Sequence, residues 1–183
     1  MKKDTIVQFV GFVTTLNLEA FAPLWERYAK RLMTKKNDTS LQQLGPETKN
    51  KFRFISQHEW PDKDMQFSFM NEKKSEHFPE GNVKVVQTGG YIALQVESTH
   101  GEEEGANKLV AFISHNENDI DFYRDLTLYS HLNIYQAYYE SCSYGYVMEF
   151  FVPEADTAEL VKQLKQRPGI EMGVYHESLV PHA

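Results

Sequence analysis

The alternation of apolar and polar residues predicts short strands interrupted by helices. Residues 5–15 are apolar on both alternating sets, which is typical of a strand that is covered on both faces. A helix is predicted next, because apolar residues recur at helical spacing at Phe21, Leu24, Trp25, Tyr28 and Leu32. Pro23 limits this helix, which either starts near Ala22 or has a kinked first turn. The polar stretch 37–50 then predicts a loop.

The rest of the first half is rich in strand patterns. Strands are predicted at 51–60, 65–70, 82–87 and 91–97. The last two are separated by Gly89-Gly90, which is compatible with a hairpin turn or a bulge. The charged stretch 71–81 contains Pro79, so a helix there is limited to about two turns. The first half therefore has the order β-α-β-β-α-β, with a weak second helix.

The second half repeats this order more clearly. Strands are predicted at 108–114, 134–140, 144–152 and 170–177. Asn118 or Asp119 can cap the helix after the first strand. Asp156 with Glu159 gives a capping signal for the second helix, which Arg167-Pro168-Gly169 ends. Two units are predicted, at residues 1–98 and 107–183, joined by the acidic linker 99–106.

The order βαββαβ is the ferredoxin-like arrangement, and two copies in one chain resemble the dimeric α+β-barrel superfamily in its fused, pseudo-dimeric form. The resemblance covers nearly the whole chain and lies in element order. It implies an α+β fold with two antiparallel sheets, each covered by helices on one face and packed together on the other. The superfamily includes antibiotic-biosynthesis-type monooxygenases, haem-degrading enzymes and stress-responsive proteins. The Asn, Trp and His that haem-degrading members use have no matching positions here, so no catalytic residue carries over.

Composition narrows the function classes. The formal net charge is -7, which disfavours binding to nucleic acid and to anionic membranes. No apolar run reaches the roughly 18 residues of a membrane helix. Residues 1–22 share features with a signal peptide, but Asp4, Gln8 and Thr14 interrupt the apolar stretch and favour a first strand. The single cysteine, Cys142, fits a reducing compartment, so a cytoplasmic location is predicted.

Polar residues inside apolar strands are the site candidates, because each needs a partner or a purpose when buried. Glu149 and His58 are predicted as catalytic residues, and Arg53, Trp60 and Tyr138 as substrate-binding residues. The competing interpretation of Glu149 is a sheet-edge position or a structural ion pair, for which Arg53 is one partner. Tyr138 belongs to a hairpin that is crowded with Tyr135, Tyr139, Tyr144 and Tyr146, which either line an aromatic pocket or pack as ordinary strand residues.

The absent motifs leave two function classes open. The sequence has no P-loop, GxGxxG, HExxH, CxxC or GxSxG motif. His115 and His131 match no metal-ligand spacing, so no metal and no cofactor are predicted. The first hypothesis is a protein that binds or oxidises a small hydrophobic or aromatic molecule, as a monooxygenase would. The alternative is a non-catalytic protein-interaction or regulatory module, and homo-oligomer formation stays open.

Overall fold

The computed structural model describes residues 1–33, 39–72, 82–98, 105–117 and 119–179. The described residues form two successive βαββαβ runs. The first run consists of β1 (Ile6–Thr14), α1 (Leu18–Met33), β2 (Thr39–Leu44), β3 (Phe54–Trp60), α2 (Lys63–Glu72) and β4 (Val83–Gln95). The second consists of β5 (Ala106–Ile113), α3 (Ile120–Arg124), β6 (His131–Ala137), β7 (Tyr146–Pro153), α4 (Thr157–Leu164) and β8 (Ile170–Leu179).

The strands close into one antiparallel barrel in the order β1-β3-β2-β8-β5-β7-β6-β4. Numbered within its own half, each set of four strands has the order 4-1-3-2. The two halves meet where β2 pairs with β8 and where β4 pairs with β6. Closure leaves none of these strands with an unpaired edge. The α+β barrel predicted from the element order is therefore confirmed.

Three layers of buried side chains fill the structure. The barrel interior is aromatic, with Phe9 in edge-to-face contact with Tyr91, Phe112 and Tyr135. Outside the first half of the sheet, the face of α1 packs on strand residues, and Phe21 stacks on Phe54. Outside the second half, α3 and α4 cover an aliphatic layer. Each sheet is thus buried on both faces, which explains why its strands are apolar on both alternating sets.

Two stretches of the first half adopt a different type of secondary structure from the predicted one. Residues 65–70 lie in helix α2, where the sequence pattern predicts a strand. The Asp62 Oδ1 atom accepts a hydrogen bond from the Met65 backbone N–H at 2.8 Å, so a capping residue starts this helix. The predicted loop 37–50 contains strand β2, whose polar Gln42 donates to Gln57 Oε1 at 2.9 Å. Because these polar residues form hydrogen bonds with each other across the sheet, β2 lacks the alternation of apolar and polar residues by which a strand is usually predicted.

Three of the four described helices, α1, α2 and α3, begin with a side-chain capping bond. Of the two alternatives for α1, a start near Ala22 is wrong, because Asn17 caps the Ala20 N–H at 2.9 Å and the helix runs through Pro23. Asp119 caps α3, as predicted, whereas its alternative, residue 118, lies outside the described residues. Asp156 precedes α4 but makes no side-chain capping bond.

Strand β4 runs through Gly89-Gly90 with a bulge in its pairing to β1. The register shifts between Phe9 and Val10, and Gly89 has a φ of 122°. An added Cβ at Gly89 would meet Cys142 Sγ at 2.5 Å, so both backbone angle and packing require glycine here. Of the two alternatives at this dipeptide, the bulge is present.

The predicted weak helix and linker fall largely outside the described residues. Residues 73–81 and 99–104 are among those not described, and Ala106 is already the first residue of β5. In the described part of the chain, no helix is long and apolar enough to cross a membrane.

Candidate functional site

Glu149 lies inside the barrel, in a fully bonded polar network. Its carboxylate pairs with Lys108 Nζ at 2.9 Å and accepts from the Tyr135 hydroxyl at 2.5 Å and from Asn133 Nδ2 at 3.3 Å. Burial alone would raise the pKa of Glu149, but the Lys108 ammonium and these hydrogen bonds bring it below its ordinary value. The carboxylate is therefore charged at neutral pH, and its ion-pair partner is Lys108, not Arg53.

His58 lies outside the barrel, beneath α1, with both ring nitrogens engaged. Its Nε2 is 2.9 Å from Ser56 Oγ, and its Nδ1 is 3.1 Å from Thr39 Oγ1. The Trp25 indole N–H donates to the same Ser56 oxygen at 2.8 Å. Burial lowers the pKa of His58 to about 3, so the ring is neutral. This histidine is fully buried.

Trp60 and Arg53 are also held by internal contacts. The Trp60 indole N–H donates to Gln8 Oε1 at 2.9 Å, and its ring packs on Phe69 of α2 at 5.1 Å between centroids. The Arg53 guanidinium lies 5.9 Å from the Phe54 ring centroid, and its buried Nε has no hydrogen-bond partner among the described residues. The structure thus does not bring Arg53, His58, Trp60 and Glu149 together at one site.

Tyr138, the fifth candidate, lines an open cleft of about 350 Å³, which we call the tyrosine cleft. The cleft lies where the segment after β5 meets the β6–β7 hairpin. Its lining consists of His115, Glu117, Gln136, Ala137, Tyr138, Tyr139, Glu140, Gly145 and Tyr146. The volume is at the lower end of the range for small-molecule pockets, which is roughly 300–1,000 Å³.

Hydrogen bonds to the rest of the protein hold the hydroxyl groups of two cleft tyrosines in place. The Tyr138 hydroxyl donates to Oε1 of the buried Gln66 on α2, and the Tyr139 hydroxyl accepts from the Gly90 N–H at 2.9 Å. The two rings meet edge to face at 4.8 Å between centroids. Burial raises the pKa of Tyr139 to about 12 and that of Tyr138 still further, so both hydroxyls keep their protons at neutral pH.

The polar wall of the cleft comes from the segment after β5. His115 Nε2 lies 2.5 Å from the Cys142 carbonyl oxygen, and a carbonyl can only accept, so Nε2 carries a proton. In the neutral ring Nδ1 is then an acceptor. Glu117 accepts from the Tyr123 hydroxyl at 3.1 Å and lies 3.6 Å from Arg167. The cleft therefore combines aromatic faces with hydrogen-bond acceptors.

Sequence reasoning found only part of this lining. It recognised the crowding of tyrosines around Tyr138 and weighed His115 only as a metal ligand. It missed Glu117, Gln136 and Glu140, which are ordinary loop and surface residues in the sequence. Their role depends on pairing of β5, β6 and β7, which no local pattern encodes.

Because the element order resembles a superfamily that includes haem-degrading enzymes, we ask whether the described residues leave room for a haem, and outside the second half of the sheet they do not. A pocket for it would lie between the strands and the helices or in the barrel interior, and a ligand pocket needs several hundred Å³. Outside the second half of the sheet, that layer is filled by fully buried side chains such as Leu109, Ile134, Phe150 and Leu160. As a separate point, no group of three or more potential metal ligands comes together in the described part of the chain.

Comparisons with known proteins identify structures with a similar fold but no family for this chain. No family model matches the chain, and no curated protein gives a significant match. Among solved structures, it is similar to a chlorite dismutase mutant from Candidatus Nitrospira defluvii, in which glutamate replaces an arginine, with 10% identity and a TM-score of 0.55 over 98% of this chain and 93% of that chain. A tryptophan-to-phenylalanine mutant of that enzyme, in complex with cyanide, matches with 10% identity and a TM-score of 0.56 over 98% and 92%. At this identity the likeness is one of α+β barrel fold alone.

Proposed function

We propose that this protein is a tandem ferredoxin-like barrel that binds a small aromatic molecule in the tyrosine cleft. The 4-1-3-2 strand order in each half supports the tandem arrangement. The observation that carries the binding function is the cleft itself, a cavity of about 350 Å³ with three tyrosines in its wall. Aromatic rings held in place offer contact area at little entropic cost, because their hydroxyls are already anchored to the protein.

The proposal is for binding rather than oxidation. Substrate oxidation without a cofactor would need a base beside the substrate. The predicted bases His58 and Glu149 have their polar atoms bonded inside the protein, on opposite sides of the barrel wall. His115 borders the cleft together with Glu117 and Glu140, and in the neutral ring its Nδ1 can accept a hydrogen bond from a ligand.

The test is a titration of the ¹⁵N-labelled protein with 2-phenylethanol, followed by NMR. We expect saturable shifts at the amides of residues 115–117 and 136–146 and a Kd near or below about 1 mM, which corresponds to roughly 4 kcal/mol. Tyr138→Leu should weaken binding at least threefold, because it removes an aromatic face. Tyr129→Leu is the matched control, since Tyr129 lies at the opposite end of β6 and should leave binding unchanged.

A different outcome would reject the proposal. If no amide in these segments shifts at millimolar ligand, or if Tyr129→Leu weakens binding as much as Tyr138→Leu, the tyrosine cleft is not a small-molecule site.

A second candidate function, a self-association or protein-binding module, is favoured by Phe67. This residue of α2 is 46% exposed and meets Tyr139 edge to face at 5.7 Å, so it extends the aromatic surface out of the cleft. Sedimentation velocity of the wild type and of Phe67→Ser tests self-association. A wild-type dimer that Phe67→Ser dissociates supports this function, and a monomer at every concentration argues against it.

A further inference from the structure

We infer that the tyrosine cleft selects arylalkylamines, whose protonated nitrogen would lie between the tyrosine rings and the acidic rim. This inference rests on the proposed function and specifies its ligand class. It is drawn from the charges and acceptors around the cleft. In the part of the chain that the structure describes, two carboxylates line the cleft and neither lysine nor arginine does.

The two carboxylates are in different situations. Glu117 is mostly buried, with the Arg167 guanidinium 3.6 Å away, so much of its charge is already balanced. Glu140 is exposed and has no ion-pair partner among the described residues. A ligand cation therefore gains most from Glu140, and an anionic ligand would face two like charges in a protein of formal net charge -7.

The tyrosine rings that line the cleft also favour a positively charged ligand. The face of a tyrosine ring is electron-rich and attracts cations within about 6 Å of its centroid. The Tyr138 ring already has such a contact within the protein, because Lys63 Nζ lies 5.5 Å from its centroid. The Tyr139 and Tyr146 rings also border the cleft and are available to a ligand ammonium.

The hydrogen-bonding groups complete the match. An ammonium group donates up to three hydrogen bonds and accepts none. The cleft offers acceptors in the Glu140 carboxylate, in His115 Nδ1 and in the tyrosine oxygens. Because His115 Nε2 donates to the Cys142 carbonyl, Nδ1 is the acceptor in the neutral ring. A carboxylate ligand has only acceptor atoms, so it could form no hydrogen bonds with the Glu140 carboxylate or with His115 Nδ1.

Three ligands of nearly the same shape test the inference in the NMR titration. They are phenethylamine, which is cationic, 2-phenylethanol, which is neutral, and 3-phenylpropionate, which is anionic, all at pH 7.5 and low salt. We expect the amine to bind about fivefold or more tightly than the alcohol, and the propionate to bind most weakly. The preference for the amine should shrink in 0.5 M sodium chloride (~4 Å screening length), because an exposed ion pair is screened.

A charge-neutral variant identifies the carboxylate. Glu140→Gln should bring phenethylamine affinity to within about twofold of the 2-phenylethanol affinity measured on the same variant. Glu154→Gln, an exposed position at the far end of β7, is the matched control and should behave as wild type.

The outcomes separate the two proposals. If 2-phenylethanol binds in the cleft but phenethylamine binds no better, or if Glu140→Gln leaves the preference intact, the amine inference is wrong and the proposed function stands. If none of the three ligands shifts the cleft amides, both are wrong.

Discussion

The buried imidazole of His58 makes the stability of the protein depend on pH. It packs under α1 with Thr39 and Ser56 as its hydrogen-bond partners, and burial lowers its pKa to about 3. In the unfolded chain its pKa is that of an ordinary histidine, about 6.5. Between these values the unfolded state binds a proton that the folded state does not. Stability from this group is therefore complete above about pH 6.5 and falls as the pH is lowered toward 3.

The size of the effect follows from the shift. Each pH unit below 6.5 costs about 1.4 kcal/mol, so this one group removes about 2 kcal/mol of unfolding free energy between pH 7.5 and pH 5. His58→Gln removes the titrating group and keeps polar atoms for Thr39 and Ser56. We expect this variant to be less stable than wild type at pH 7.5, yet to lose about 2 kcal/mol less between the two pH values.

Urea unfolding at both pH values, followed by circular dichroism, measures this difference. His115→Gln makes the same substitution at an exposed histidine and should keep the wild-type pH dependence. The reasoning would be refuted if His58→Gln lost as much stability on acidification as wild type and His115→Gln do.

Two further predictions concern the barrel interior and the bulge. Lys108→Met should cost about 3–5 kcal/mol of unfolding free energy, because it leaves the Glu149 carboxylate buried without its partner. Adding Glu149→Gln should restore much of that loss. Urea unfolding of the two single variants and the double variant measures the coupling, and additive costs would contradict it. Gly89→Ala should cost about 1–3 kcal/mol, since alanine is strained at a φ of 122° and its Cβ would meet Cys142; a melting temperature equal to that of wild type would argue against the bulge.

The element order and barrel could be predicted from the sequence because hydrophobic periodicity marks most strands and helices directly. The failures have local physical causes. Residues 65–70 place Met65, Phe67 and Phe69 at alternate positions, which indicates a strand, but Asp62 caps the Met65 N–H and starts a helix. In that helix Phe69 is buried and Phe67 is exposed. Pro61-Asp62 is the sequence feature that could have indicated a helix here, because Asp62 can cap a helix start as well as form a turn.

The candidate site was harder to predict because partners come from distant strands. Glu149 invited a catalytic interpretation as a carboxylate in an apolar strand. Its partner Lys108 is reached only through the antiparallel pairing of β5 with β7, in which Val110 lies opposite Glu149. His58 likewise depends on Thr39, which lies directly across from it on β2, in a stretch predicted to be a loop. A polar residue in an apolar strand therefore indicates a buried hydrogen-bond network. The register of strand pairing determines whether that network lies next to a ligand site.

The most direct test of the account is the position of a bound aromatic ligand. Isotope-filtered NOE spectra of the protein with phenethylamine should show contacts from the ligand ring to the side chains of Tyr138, Tyr139 and Tyr146, together with shifts at Glu140. Contacts to barrel-interior residues such as Phe112 or Tyr135, with none to these tyrosines, would contradict the assignment of binding to the cleft.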